Sequence, residues 1–69
     1  MFSEDIVAQR KALILSTVDG LVAKYGFDAL RLREVAERAG VSVGMIQHYF
    51  PSRSELMFAA LRQASINRA

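Results

Sequence analysis

Hydrophobic residues recur at helical spacing in four stretches of this chain. The first contains Ile6, Leu13, Ile14, Val18, Leu21, Val22 and Tyr25. The second contains Leu32, Val35, Ala36 and Ala39. The third is centred on Ile46, and the fourth contains Leu56, Met57, Ala60, Leu61 and Ala64. This pattern predicts an all-α fold of three helices followed by the start of a fourth.

Two glycines mark the ends of the first two predicted helices. Helix 1 covers about residues 4–25 and ends at Gly26, and helix 2 covers about residues 32–39. Gly40 follows at once, where a turn with positive φ favours glycine. Gly20 lies inside helix 1 and costs about 1 kcal/mol against alanine, which suggests a close approach to a neighbouring helix.

Local signals also bound the last two helices. Ser42 is placed to cap helix 3, about residues 43–49, because its hydroxyl can accept from a free N–H of the first turn. Pro51 prevents helix 3 from continuing. Ser52 and Glu55 then have the spacing of a capping box, which predicts that helix 4 begins here.

Helices 2 and 3 with the glycine turn between them form the arrangement of a helix-turn-helix, whose second helix enters the DNA major groove. At 100° per residue, Gly44 and His48 point away from a buried Ile46, with Met45 and Gln47 on the flanks. A merely solvated helix would favour Lys and Glu on such a face. Gln47 and His48 can instead donate to and accept from base edges.

The net charge of +2 is concentrated in this region. Four arginines and two glutamates lie between Arg31 and Arg53, whereas the other segments carry five charges of each sign. Arginine pairs with phosphate in a forked geometry. Scattered solvated charge is the alternative interpretation. Arg10 and Lys11 could reach DNA near the N-terminus, but ordinary surface charge is the interpretation we favour for them.

Composition excludes several classes of protein. The chain has 69 residues and no cysteine, which removes disulfides and cysteine metal sites. No apolar run approaches the ~18 residues of a membrane span, and the N-terminus lacks a secretory signal. His48 has no accompanying nucleophile or second metal ligand. We therefore expect a cytoplasmic protein that is not an enzyme and needs no cofactor or metal.

The run REVAERAGVSVGMIQHYFPSRSELM resembles the DNA-binding domain of TetR-family transcriptional regulators. The matching positions are Val35-Ala36, Ala39-Gly40-Val41-Ser42, Gly44, Phe50, Pro51-Ser52-Arg53 and Leu56. The resemblance implies that residues 1–52 are the DNA-binding domain. Residues 53–69 would be helix 4, leading toward a C-terminal ligand-binding and dimerisation domain absent from this chain.

The resemblance also implies roles for individual residues. The positions that would meet bases in the major groove are Ser42, Val43, Gly44, Met45, Gln47 and His48. The positions that would hold phosphates are Arg31, Arg33, Tyr49 and Arg53. Arg31 stands where the family often has a Thr or Ser that caps helix 2.

The partners implied are double-stranded DNA with an inverted-repeat operator, a second copy of the full-length protein, and a small-molecule effector of the C-terminal domain. Such a regulator is usually a repressor released by its effector. The alternative hypothesis is a small helical protein-interaction module that uses the face formed by Gly44, Met45 and His48 as a docking patch. Steep salt dependence would favour DNA over this alternative.

Overall fold

The computed structural model describes the backbone of residues 2–68 and the side chains of residues 6–63 and 65. This part of the chain contains no strand. It folds into the helices α1 (Phe2–Tyr25), α2 (Leu32–Ala39), α3 (Val43–Tyr49) and α4 (Arg53–Arg68), with a 3-10 turn, η1 (Phe27–Ala29), between α1 and α2. The predicted all-α class is confirmed. The bounds of α2 and α3 coincide with those expected from sequence, whereas α1 begins at Phe2 instead of near residue 4.

The turn between α2 and α3 is formed by the local signals found in the sequence. Gly40 adopts φ 72° and ψ 32°, the left-handed conformation that glycine tolerates best. The Val41 N–H then donates to the Ala36 carbonyl at 3.0 Å, a bond typical of a Schellman helix end. Ser42 Oγ accepts the Met45 N–H at 3.0 Å and so caps α3 as predicted. These bonds fix the direction in which α3 leaves α2.

The other predicted helix ends are also present. Gly26 has φ 88°, and its N–H donates to the Val22 carbonyl at 2.8 Å. Ser52 Oγ accepts the Glu55 N–H at 3.1 Å, which is the serine half of the predicted capping box.

One hydrophobic core joins all four helices. Its largest fully buried side chains are Ile14, Ile46, Leu56, Val18 and Val35, each less than 2% exposed. α1 packs against α2 and α4, and α3 packs mainly against α2. Because Leu56 and Ala60 lie in this core, the first part of α4 packs as one unit with α1–α3. The division of the chain at residue 52 stays a prediction.

The buried face of α1 differs from the predicted stripe. Ile6, Leu13 and Tyr25 are 46%, 47% and 49% exposed, whereas Leu15 is buried. The helix is 24 residues long, and its partners α2 and α4 cover only part of its apolar surface. The predicted burial was therefore right only where these partners reach, at Ile14, Val18 and Leu21 among others.

In the other helices, and in the connection before α2, the observed burial of apolar residues differs less from the prediction. Leu61 of α4 was predicted to be in the core but is 53% exposed, and the side chain of Ala64 lies outside the described residues. Leu30, in the connection before α2, is buried although the sequence pattern gave no indication of it. Leu30 and Val35 occupy the N′ and N4 positions of a hydrophobic staple at the start of α2.

The expected close contact at Gly20 was wrong. A Cβ added there would meet no atom within 4 Å outside its own turn of helix. Gly20 therefore costs helix stability without allowing any approach between the described parts of the chain.

Neighbouring residues of α1 provide a test of this core. We expect Ile14→Ala to lower the free energy of unfolding by about 2–5 kcal/mol, because a fully buried side chain leaves a cavity. Leu13→Ala is the matched control, since Leu13 is 47% exposed, and it should change the free energy by no more than about 0.5 kcal/mol. Chemical denaturation followed by circular dichroism measures both, and equal losses would contradict the placement of α1.

Candidate nucleic-acid interface

α3 presents a polar face opposite its buried side. Ile46 is completely buried, and Val43 and Tyr49 are half-buried beside it. The residues of α3 and its cap that are exposed are Ser42, Gly44, Gln47 and His48, while Met45 is half-buried. Burial around α3 thus follows the helical wheel expected from the sequence. Hydrogen-bonding side chains at Gln47 and His48 are free to meet another molecule.

The fold itself does not require a glycine at position 44. Gly44 lies inside α3 without a positive φ, and an added Cβ would meet only Ser42 Oγ at 3.8 Å, an ordinary contact. Glycine inside a helix costs about 0.5–1 kcal/mol relative to alanine. An exposed glycine on this face is therefore better suited to the close approach of an outside partner than to the stability of the chain.

Arg31 occupies the N-cap of α2 but does not act as a side-chain cap. Its backbone is extended, with φ −125° and ψ 134°, and its side chain makes no capping hydrogen bond. Ser, Thr, Asp or Asn at this position would satisfy a free N–H of the first turn. Arg31 and Arg33 are both exposed, so their guanidinium groups can meet an anion such as a phosphate.

Tyr49 lies at the other end of the helix-turn-helix, with a basic residue beside it. Lys11 Nζ of α1 lies 5.9 Å from the centroid of the Tyr49 ring, and the His48 ring centroid lies 5.5 Å from it. For Lys11 the sequence favoured ordinary surface charge over a contact with DNA, and it did not predict the proximity to Tyr49. No local signal could have found this contact, because Lys11 and Tyr49 are distant in the chain and meet only when α1 packs on the other helices.

Arg53 has hydrogen-bond partners within the protein. Its Nη1 donates to the Leu30 carbonyl at 2.9 Å, and its Nη2 donates to the Phe27 carbonyl at 2.7 Å. Because Leu30 directly precedes Arg31, these bonds bring the first turn of α4 next to the start of α2. The phosphate role of Arg53 stays a prediction, and any phosphate would have to use its remaining N–H donors.

Two charged residues of α2, Glu34 and Arg38, form a surface pair. Arg38 Nη2 lies 3.8 Å from Glu34 Oε2, one helical turn away, and both side chains are substantially exposed. Such a pair stabilises a helix by about 0.2–0.5 kcal/mol. Arg38 thus has the role of surface partner that its spacing from Glu34 indicates.

No group of three or more potential metal ligands occurs among the described residues. Nor is any described helix both long and apolar enough to cross a membrane.

Comparisons with known proteins agree on one family. The family model for bacterial regulatory proteins of the tetR family matches residues 14–60. The chain is 41% identical over 59 residues to the HTH-type transcriptional repressor KstR of Rhodococcus jostii, covering 86% of this chain and 28% of that protein. It is 39% identical over 61 residues to the HTH-type transcriptional regulator RutR of Escherichia coli, covering 88% of this chain and 28% of that protein.

The chain therefore spans about a quarter to a third of the length of the curated relatives it matches. No solved structure gives a significant match. The family model covers more than half of the chain, including the whole helix-turn-helix and the first part of α4. On this match, the chain belongs to the tetR family of bacterial regulatory proteins.

Proposed function

We propose that this chain binds double-stranded DNA in a sequence-specific manner and is the DNA-binding part of a transcriptional regulator. The observation that carries the proposal is the exposed polar face of α3, formed by Gly44, Gln47 and His48 opposite the buried Ile46. A second helix with such a face is the reading element of a helix-turn-helix. The two relatives named above, which are described as transcriptional regulators of the same helix-turn-helix type, support it.

In this proposal the exposed face of α3 contacts bases, whereas the two ends of the helix-turn-helix contact phosphates. Base edges in the major groove meet Ser42, Val43, Gly44, Met45, Gln47 and His48. Phosphates meet Arg31 and Arg33 at the start of α2 and Tyr49 at the end of α3. Lys11 beside Tyr49 adds a positive charge there that can face the same backbone. Phosphate contacts of this kind set the register, and base contacts set the sequence preference.

The complete regulator would act as a homodimer on an inverted repeat in the bacterial cytoplasm. Two copies would place their α3 helices about 34–36 Å apart, one turn of DNA. Repression, and release by a small molecule bound to a C-terminal domain, follow the family resemblance and the description of KstR as a repressor. A single 69-residue chain should then bind one half-site only weakly.

Selection of duplexes from a random pool tests the proposal directly. The chain should enrich a short common half-site, and its affinity should fall with salt with a slope near −0.9 per phosphate neutralised. A folded chain that enriches nothing at low salt would contradict the proposal. Salt-independent binding to a protein would favour the alternative of an interaction module.

Substitutions in α3 should alter sequence preference. We expect Gln47→Ala and His48→Ala each to relax discrimination at one base position, by about 1–3 kcal/mol for a good bidentate contact, because each removes hydrogen bonding to a base edge. Arg33→Ala is the control and should weaken all sequences alike while flattening the salt slope. Competition between preferred and scrambled duplexes measures the difference. Unchanged preference in both α3 variants would mean that α3 does not read the bases.

Gly44→Ala should separate folding from binding. We expect the free energy of unfolding to rise by about 0.5–1 kcal/mol, because alanine favours the helix and the added Cβ meets only Ser42 Oγ. Affinity for DNA should fall at least several-fold, since the methyl group keeps α3 from approaching the groove. Gly20→Ala is the matched control, with open space at its Cβ; it should stabilise the chain equally and leave affinity unchanged. Parallel thermal melts and titrations check both variants, and equal affinities would contradict close approach at Gly44.

Arg31→Ser should likewise raise the stability of the chain and lower its affinity for DNA. Serine at the N-cap, with Glu34 at the third helical position, would give α2 the serine and glutamate of a capping box, and a cap of this kind is worth about 0.5–2 kcal/mol. DNA affinity should fall for all sequences, because a phosphate contact is lost. Thermal melts and salt-dependent titrations measure the two effects. Unchanged affinity at every salt concentration would remove Arg31 from the interface.

A further inference from the structure

The Arg53 side chain joins two parts of the chain that are distant in sequence. Nη1 and Nη2 donate to the carbonyl oxygens of Leu30 and Phe27, which lie 23 and 26 residues earlier. Both distances, 2.9 and 2.7 Å, are in the short range typical of charge-assisted hydrogen bonds. These two bonds are called the Arg53 bridge below.

The two carbonyls belong to the connection that leads into α2. Phe27 is the first residue of η1, and Leu30 is its C-cap. The Leu30 N–H also donates to the Phe27 carbonyl, at 3.2 Å. Leu30 is 4% exposed, and the next residue, Arg31, is the N-cap of α2. The bridge therefore holds the backbone at the point where the helix-turn-helix begins.

Arg53 itself follows the point where the helix-turn-helix ends. It is the first residue of α4, after the turn that Pro51 and Ser52 form behind α3. The bridge consequently connects the residues just before α2 with those just after α3. The intervening segment, residues 31–52, is the part of the chain that the proposed function places on DNA.

Neither α2 nor α3 can set its own position. They have eight and seven residues, and isolated helices shorter than ~12–15 residues are marginal in water. α3 packs mainly against α2, so the direction of its exposed face depends on where α2 lies. A constraint on the start of α2 is therefore passed on to α3.

We propose that Arg53 is a positioning residue for DNA binding. The Arg53 bridge fixes the start of α2 on α4 and, through α2, the orientation of α3. The bridge needs the planar fork of a guanidinium, whose two terminal nitrogens reach two carbonyls at once. A lysine at this position carries the same charge but has a single ammonium group on a flexible stem. The part of the inference that concerns DNA rests on the proposed function.

The variants Arg53→Lys and Arg53→Ala distinguish this role from a simple phosphate contact. Arg53→Lys keeps the charge but lacks the forked guanidinium. It should therefore lose most of the stability and DNA affinity that Arg53→Ala loses. The matched control is Arg62→Lys, the same change at another exposed position of α4. All three are made in the full 69-residue chain and compared with the unaltered protein.

Without DNA, both Arg53 variants should melt at least ~4 °C lower than the unaltered chain, and Arg62→Lys should not. Amide hydrogen exchange gives the local readout. The N–H groups of Leu30, Glu34 and Val35, which bond within η1 and the first turn of α2, should exchange at least tenfold faster in the Arg53 variants. Exchange at Val18, in the middle of α1, should change less. An equal acceleration at all of these amides would show general destabilisation and overturn the positioning role.

With DNA, Arg53→Lys should bind at least fivefold more weakly than the unaltered chain and keep its salt slope. If Arg53→Lys matches the unaltered chain in stability, exchange and affinity, while Arg53→Ala loses about 0.9 from the salt slope, Arg53 is a phosphate contact and the inference is overturned. If the unaltered chain binds no DNA, the proposed function fails instead. The exchange measurement then still decides whether the bridge holds the start of α2.

Discussion

The burial of Ile46 is the interaction on which the exposed surface of α3 depends. α3 is too short to be stable alone, and its single completely buried side chain anchors it in a core shared with Ile14, Val35 and Leu56. Because a helix is rigid about its axis, fixing Ile46 inward turns Gly44 and His48 outward. The polar face is therefore a consequence of packing: if Ile46 left the core, the same residues would point in no defined direction.

The bonds around the turn convert this packing into a defined angle between helices. Gly40 ends α2 in the left-handed conformation, the Val41 N–H closes the last turn on Ala36, and Ser42 starts α3 within two residues. These bonds constrain the backbone of the turn, so α2 and α3 behave as one unit. Their placement on α1 and α4 is then set by few contacts, of which the core and the Arg53 bridge are the clearest.

The sequence predicted well what local signals determine. Gly26, Gly40, Ser42 and Pro51 each act on adjacent backbone groups, so the ends of α2 and α3 could be found without knowing the fold. The face of α1 could not, because the apolar stripe does not say how much of a long helix its neighbours cover. Nor does it say which side is covered: Leu13 and Leu15 flank the buried Ile14 on opposite sides of the helix, and only Leu15 is buried.

Contacts between residues that are distant in the chain could not be predicted from the sequence either. The proximity of Lys11 and Tyr49 and the partners of Arg53 depend on where α1 and α4 pack, and composition and spacing carry no sign of either. Sequence alone therefore gave Arg53 only the role its family motif implies. The candidate interface was predictable where it lies on one helix and unpredictable where two elements must meet.

Two residues of the helix-turn-helix, Gly44 and Arg31, do not favour stability. Gly44 weakens α3 without relieving any clash, and Arg31 leaves the start of α2 without a side-chain cap. Departures from local folding rules are expected at functional sites, where a partner supplies the missing reason. Gly20 shows that such a departure is not sufficient by itself, since a Cβ added there would also meet no close contact. Gly44 and Arg31 differ from Gly20 in lying within the segment that the proposed function places on DNA, beside Gln47 and His48 in one case and Arg33 in the other. The coincidence of lost helix stability with exposed hydrogen-bonding and charged groups on the same short segment thus supports the proposed DNA binding.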